Sequence, residues 1–128
     1  MQERINISSD SPWEDEVGYC RAVRVGNIIE VAGTTSMDGK TLVGKDDLYL
    51  QTKFIIQKIE KALQQAGGSL THVVRTRMFV TDISLWEEAG KAHGEFFKHI
   101  KPASTMVEVS RLISPDLLIE IEATAILD

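Results

Sequence analysis

The stretch LLIEIEATAIL, residues 117–127, constrains this chain more than any other segment. Side chains in a strand alternate between two faces. Ile119, Ile121, Ala123, Ala125 and Leu127 therefore share one face, and Leu118, Glu120, Glu122, Thr124 and Ile126 share the other. The first set is wholly apolar and belongs against a core. The second places two carboxylates among aliphatic residues, which suits neither a closed core nor an open, solvated surface. A sheet with one covered face and one half-wet face is the expected outcome, and the half-wet face is where function is expected.

Two helical patterns supply the cover. Residues 46–68, DDLYLQTKFIIQKIEKALQQAGG, predict a helix with Phe54, Ile55, Ile59, Ala62, Leu63 and Ala66 on its buried stripe. Asp46 and Asp47 suit its start, and Gly67-Gly68 its C-cap. A second helix is expected from Ser84, with Glu87 completing a capping box and Pro102 ending it. Its apolar stripe runs through Leu85, Trp86, Ala89, Ala92, Phe96 and Phe97. Gly90 and Gly94, one turn apart, each sacrifice roughly 1 kcal/mol of helix propensity against Ala, which predicts close approach by a neighbouring backbone.

The other runs read as strands. RINI is the first, and GYCRAVRVGNIIEVAG gives two more that meet at Gly26-Asn27, a hairpin signal. In THVVRTRMFVTD, Val74, Thr76, Met78 and Val80 form one face, with Val73, Arg75, Arg77 and Phe79 on the other. STMVEVSRL is expected to pair with the last strand across the turn ISPD. Two helices cover one side of such a sheet. The bare side is then expected to carry Arg75, Arg77, Glu120 and Glu122, with Ser104, Met106 and Glu108 on a further strand. A face so mixed suits a wet interface between subunits.

At 128 residues the chain fits one domain spanning 1–128. The formal charge of −5 opposes a surface for nucleic acid, which needs a basic stripe. There is no apolar run of about 18 residues, so no membrane span is expected. The polar start MQERINISSD lacks the apolar centre of a signal peptide. With Cys20 as the single cysteine, neither an internal disulfide nor a cysteine zinc site is expected, and a cytoplasmic location follows.

Several separated motifs then resemble one family. PASTMVEVSRL and LLIEIEATAIL are similar to the C-terminal signature of the YjgF/Rid (reactive intermediate deaminase, L-PSP-like) proteins. GYCRAVRVGNIIEVAG and QTKFIIQKIEKALQQAGGSLTHVVRTRMFVTDI resemble its hairpin and its helix–strand module. The resemblance covers roughly Gly18 to Ile126. It implies an α+β, chorismate-mutase-like mixed sheet with two helices packed on one face. It also implies a homotrimer with ligand clefts between subunits, and hydrolysis of small reactive enamines or imines to a keto acid and ammonia without metal or organic cofactor.

That chemistry asks for a group to hold a substrate carboxylate and a group to position water. The resemblance assigns the second role to Glu120, while a cross-strand salt bridge of Glu120 with Arg75 or Arg77 is the structural alternative. Tyr19 matches a tyrosine lining the cleft, Gly33 a glycine that lets the chain approach it, and Ser104 and Thr105 follow the PA dipeptide of the signature. Deaminating members carry an arginine where this chain has Ser104. A hydroxyl cannot reproduce the paired donors of a guanidinium, so the chain is expected to be a divergent member. Arg21, sharing a face with Tyr19, is the candidate for the missing positive charge. Trp13 either walls the cleft or pins the N-terminal segment, and His93 reads as a packing residue. A non-catalytic trimer that binds small carboxylate-bearing metabolites is the main alternative. An L-PSP-type endoribonuclease is weaker, given the acidic charge and the lack of an evident acid/base histidine pair.

Overall fold

The terminal strand occupies the middle of the sheet, as its fully apolar face requires. The computed structural model describes residues 3–128. In chain order the elements are β1 (Arg4–Ile7), α1 (Pro12–Val17), β2 (Ala22–Val25), β3 (Ile28–Thr34), β4 (Met37–Asp38), β5 (Thr41–Leu42), α2 (Leu48–Gln65), β6 (Val73–Val80), α3 (Trp86–Phe97), β7 (Ala103–Glu108) and β8 (Ile119–Ile126). Six strands form one mixed sheet in the order β1-β2-β3-β8-β6-β7, and β4 and β5 pair as a separate ribbon. Ile119, Ile121, Ala123 and Ala125 are each at most 1% exposed. They share the core with Ile55, Ile56, Ile59 and Leu63 of α2.

Helix α2 forms where its pattern places it. Asp47 caps the N-terminus by accepting from the Leu50 N–H at 3.0 Å. Gly67 takes a left-handed φ of +93° just past the end, and the Gly68 N–H returns to the Leu63 carbonyl at 2.7 Å. The Arg24 guanidinium donates to the Ala66 carbonyl at 2.8 Å, a cation at the negative end of the helix. Ile55, Ile59, Ala62, Leu63 and Ala66 are buried as expected, Phe54 is only partly so, and the buried face widens to include Gln51, Thr52 and Ile56. The β2–β3 hairpin closes in two residues with positive φ at Gly26.

Four expectations fail. First, β7 does not pair with β8. It pairs in parallel with β6, and β6 pairs with β8. Helix α3 separates β6 from β7, and a helical crossover returns the chain parallel to the strand it left. Second, the parallel register sets Ser104 beside Thr76, Met106 beside Met78 and Glu108 beside Val80. Thr76, Met78 and Val80 face the helices, so Ser104, Met106 and Glu108 lie on the covered side. Third, the register shifts between Val73 and Arg75 opposite β8. The extra residue buries Val73 and leaves Val74 42% exposed, the reverse of strict alternation. Fourth, α3 begins at Trp86 after a short 3-10 turn capped by Asp82, which accepts from the Ser84 N–H. It ends at Phe97, before Pro102. Leu85 and Trp86 are exposed, and no backbone outside α3 approaches Gly90 or Gly94.

One buried polar side chain ties the β7–β8 connection to the core. Gln51 is fully buried, donates to the Gly44 carbonyl at 3.1 Å and the Asp116 carbonyl at 3.0 Å, and accepts from the Leu118 N–H at 2.9 Å. These bonds set where β8 begins, and thereby its register. Gln51→Leu is expected to lower unfolding free energy by about 3 kcal/mol, because it strands buried backbone groups. Chemical denaturation measures the loss, and a change below about 1 kcal/mol would contradict this role.

Candidate functional site on the bare sheet face

A second irregularity builds the site. Between Val31 and Thr34 the register of β3 against β8 shifts by one residue, which turns Thr34 into the core and brings Gly33 beneath the side chain of Glu120. A Cβ on Gly33 would lie 3.0 Å from Glu120 Cδ and nearer still to Oε2. Glycine is therefore what lets the carboxylate lie down against the strand. The Arg21 guanidinium donates through Nη2 to the Gly33 carbonyl at 2.6 Å, and its Nε is buried without a partner. Arg21, Gly33 and Glu120, expected to share a site, are brought together.

Burial pushes the Glu120 carboxyl above the usual carboxylate range; the Arg21 charge partly opposes the rise, and Glu122 adds to it. No arginine of β6 bridges Glu120. Arg77 pairs with Glu122 at 3.5 Å, and Arg75 donates to Thr105 Oγ1 at 2.7 Å. The salt-bridge alternative for Glu120 therefore fails. Its cross-strand partner on β6 is Phe79, an apolar residue rather than a cation.

Two further charged groups support this corner, and the sequence did not single out either. Glu14 of α1 is 6% exposed. Burial raises its carboxyl, but hydrogen bonds from the Ser9 hydroxyl and N–H, from Ser8, and the charge of Arg21 outweigh that and hold it below the usual range. Lys58 of α2 donates to the carbonyls of Thr35 (3.0 Å) and Met37 (2.8 Å), and burial, reinforced by Arg21, lowers its pKa. Nothing distinguishes Glu14 from Asp15 or Glu16 in SPWEDE, and Lys58 reads as one of several helix lysines. Trp13 is 59% exposed, and the neighbouring Glu14 ties the segment down through Ser8 and Ser9.

Tyr19, 39% exposed, lines a shallow concavity with Glu14, Glu30, Arg77 and Glu122. Its lining stops short of Glu120 and Arg21, so the hollow runs beside the carboxyl rather than over it. Ser104 and Thr105 are not part of this cluster. They lie on the edge strand, two strands from β8, roughly 10 Å away at normal strand spacing. Thr105 shares the bare face with Arg75, whereas Ser104 is on the helix side, accepting from Thr76 Oγ1 at 2.8 Å. Thr76 Oγ1 is also 2.9 Å from His93 Nε2. Among the described residues no group of three His, Cys, Asp or Glu side chains is placed to hold a metal.

The raised Glu120 pKa has a sign that can be checked. A carboxyl with a higher pKa folded than unfolded weakens the fold as pH rises through the window between the two values, and the penalty persists above it. Glu120→Gln removes that penalty. It is expected to raise the thermal midpoint at neutral pH, with the gain fading as pH falls to the ordinary carboxylate range. A midpoint difference that does not change with pH would contradict the assignment.

Comparison with known proteins completes the picture. The family model described as Endoribonuclease L-PSP matches residues 10–127. The RutC family protein PYRAB12510 of Pyrococcus abyssi is 41% identical over 108 residues, covering 84% of each chain. The 3-aminoacrylate deaminase RutC of Acinetobacter baylyi is 32% identical over 108 residues, covering 84% of this chain and 85% of its own. The crystal structure of Rv2704 from Mycobacterium tuberculosis, a member of the YjgF/YER057c/UK114 family, superimposes with a TM-score of 0.90 at 49% identity, covering 98% of this chain and 100% of that one. With a matching family model and relatives of this identity along most of its length, the chain belongs to the YjgF/Rid family.

Proposed function

We propose that the protein is a hydrolytic deaminase of small reactive enamines or imines, releasing ammonia and a carbonyl product such as a keto acid, in clefts between the subunits of a homotrimer. The observation that carries this reading is Glu120, half-buried over Gly33 beside Arg21, with burial holding its carboxyl above the usual carboxylate range. A general acid–base works best with a pKa near the operating pH. In the proposed sequence an enamine takes a proton at carbon and gives one up from nitrogen, becoming the imine. Ionised Glu120 orients water against the imine carbon, accepts its proton as the C–O bond forms and returns that proton to the nitrogen. The carbinolamine then passes its hydroxyl proton to the nitrogen and loses ammonia as the C–N bond breaks, leaving the carbonyl.

A trimer is favoured by the separation of the two halves within one protomer. Glu120, Arg21, Gly33 and Tyr19 lie at one region of the sheet, Ser104 and Thr105 at its outer edge. A ligand touching both needs the edge of one copy against the bare face of another. Exposed Val74, Val107 and Ile126 on that face suit such burial. A related protein named as a 3-aminoacrylate deaminase adds support. The second reading, binding of a small metabolite without turnover, is favoured by Ser104 standing where deaminating family members are expected to carry an arginine. The net charge of −5 weighs against RNA cleavage.

Imines generated in place from a panel of amino acids, with carbonyl and ammonia release followed together, test the proposal. Glu120→Gln is expected to lower kcat/KM by about a hundredfold or more. Gly33→Ala should leave the fold intact, since the carboxylate can swing aside, and reduce turnover by displacing it. Full activity in Glu120→Gln removes the catalytic role. A panel with no turnover, alongside saturable binding of a keto acid, favours the binder. Native mass spectrometry is expected to show three chains, and a monomer at micromolar concentration would end the cleft model.

A further inference from the structure

We propose that His93, Thr76 and Ser104 form a directional hydrogen-bond relay that leaves the Ser104 proton free for a ligand, so that this chain selects its ligand by an uncharged carbonyl oxygen. A hydroxyl has one proton to donate. Thr76 donates to Ser104 Oγ at 2.8 Å, so it has none left for His93. His93 Nε2, 2.9 Å from the same Thr76 oxygen, must therefore be the donor there. This fixes the tautomer with the proton on Nε2. Ser104 accepts from Thr76 and keeps its own proton.

The relay runs from the interior to the surface. Thr76 is 1% exposed, His93 is partly buried with its ring 4.6 Å from that of Phe97, and Ser104 is exposed on the edge strand. The parallel register that places residue 104 opposite residue 76 makes the connection. Burial lowers the His93 pKa, which favours the neutral ring the relay uses. Hydrogen bonds in series polarise one another, so the outermost hydroxyl is a better donor than an isolated serine.

The donor at the end is neutral and single. A carboxylate is best met by paired, charged donors, and the nearest strand arginines are on the other side of the sheet. Arg75 is held at Thr105, whose side chain points opposite to that of Ser104, and Arg77 is paired with Glu122. A ligand anchored at Ser104 keeps its hydrogen bond without an unpaired buried charge if its acceptor is the oxygen of an amide, ester or ketone. The inference rests on the reading of Ser104 as a cleft residue, and not on turnover.

The test uses the full chain with pyruvate and its amide, pyruvamide, titrated by NMR. Imidazole 15N shifts report the His93 tautomer. Pyruvamide is expected to bind more tightly than pyruvate, by about threefold or more. Ser104→Ala and Thr76→Val should each weaken pyruvamide by about three- to tenfold, the range for one neutral hydrogen bond, and narrow its advantage over pyruvate. His93→Gln, whose amide can donate to Thr76, should retain the preference, whereas His93→Phe should lose it. If Thr76→Val or His93→Phe fails to fold, the exposed Ser104→Ala variant and the wild-type tautomer still decide. Equal or tighter binding of pyruvate, an unaffected Ser104→Ala, an Nδ1–H tautomer, or binding of neither probe overturns the relay's role. Intact selectivity without imine hydrolysis would instead sink the deaminase reading alone.

Discussion

Strand β8 is the ruler of this molecule. It is hydrogen-bonded to β3 on one side and β6 on the other, and its own alternation runs unbroken from Ile119 to Ala125. A slip of one residue would exchange Ile121 for Glu120 in the core, so the register is held by burial itself. Both neighbours adjust to it. The shift on β3 between Val31 and Thr34 brings Gly33 under Glu120, and the shift on β6 between Val73 and Arg75 sends Arg75 to the bare face. The same device, an extra residue in a partner strand, thus re-aims side chains on either side of a strand that does not bend its own rule.

The corner around Glu120 shows how a half-buried carboxyl is retained. Its desolvation is unfavourable, and the Arg21 guanidinium nearby relieves part of it. Arg21 in turn is held by the Gly33 carbonyl and faces Glu14, which three bonds from Ser8 and Ser9 keep ionised. Lys58 adds a second cation from the helix layer and uses it to hold the carbonyls of Thr35 and Met37, just past the irregular end of β3. The cluster is unequal in its parts. Glu14 and Lys58 order the backbone on either side, while Glu120 alone keeps a raised pKa on the bare face. That difference is what makes Glu120, rather than Glu14 or Lys58, the proposed reactive group.

How much of this was legible follows from which signals are local. The apolar face of residues 119–125, the caps of α2 and the Gly26-Asn27 hairpin are short-range patterns, and the structure repeats them. Strand adjacency is not local. STMVEVSRL and the last strand are neighbours in sequence, yet β6 lies between them because α3 carries the chain across in parallel. The bulge at residues 73–75 is equally hidden, since Val73 and Val74 are interchangeable as strand formers. The first feature moves Ser104, Met106 and Glu108 to the covered side of the sheet, and the second exchanges Val73 and Val74. Asp82 displaced Ser84 as a cap because a 3-10 turn precedes α3, a detail with no periodic trace. Tyr19, Gly33 and Glu120 stand out by motif resemblance and Arg21 by alternation with Tyr19, and only the bulge explains why Arg21, Gly33 and Glu120 meet.

The two ends of the proposed cleft share an electrostatic character that bears on what can fit there. At one end a carboxyl is pushed by burial toward its neutral form. At the other, a hydroxyl is supported by a histidine that burial also keeps neutral. The guanidiniums that could hold an anion are committed elsewhere: Arg21 to Gly33, Arg75 to Thr105 and Arg77 to Glu122. Introducing an anionic ligand between two such ends would leave its charge poorly matched on both sides, and desolvating it would oppose binding. An imine or enamine bearing a neutral carbonyl meets a proton-exchanging acid at one end and a hydrogen-bond donor at the other. On the proposed relay, Ser104 is more than the absence of a guanidinium, because the donor chain behind it would give the position a selectivity of its own.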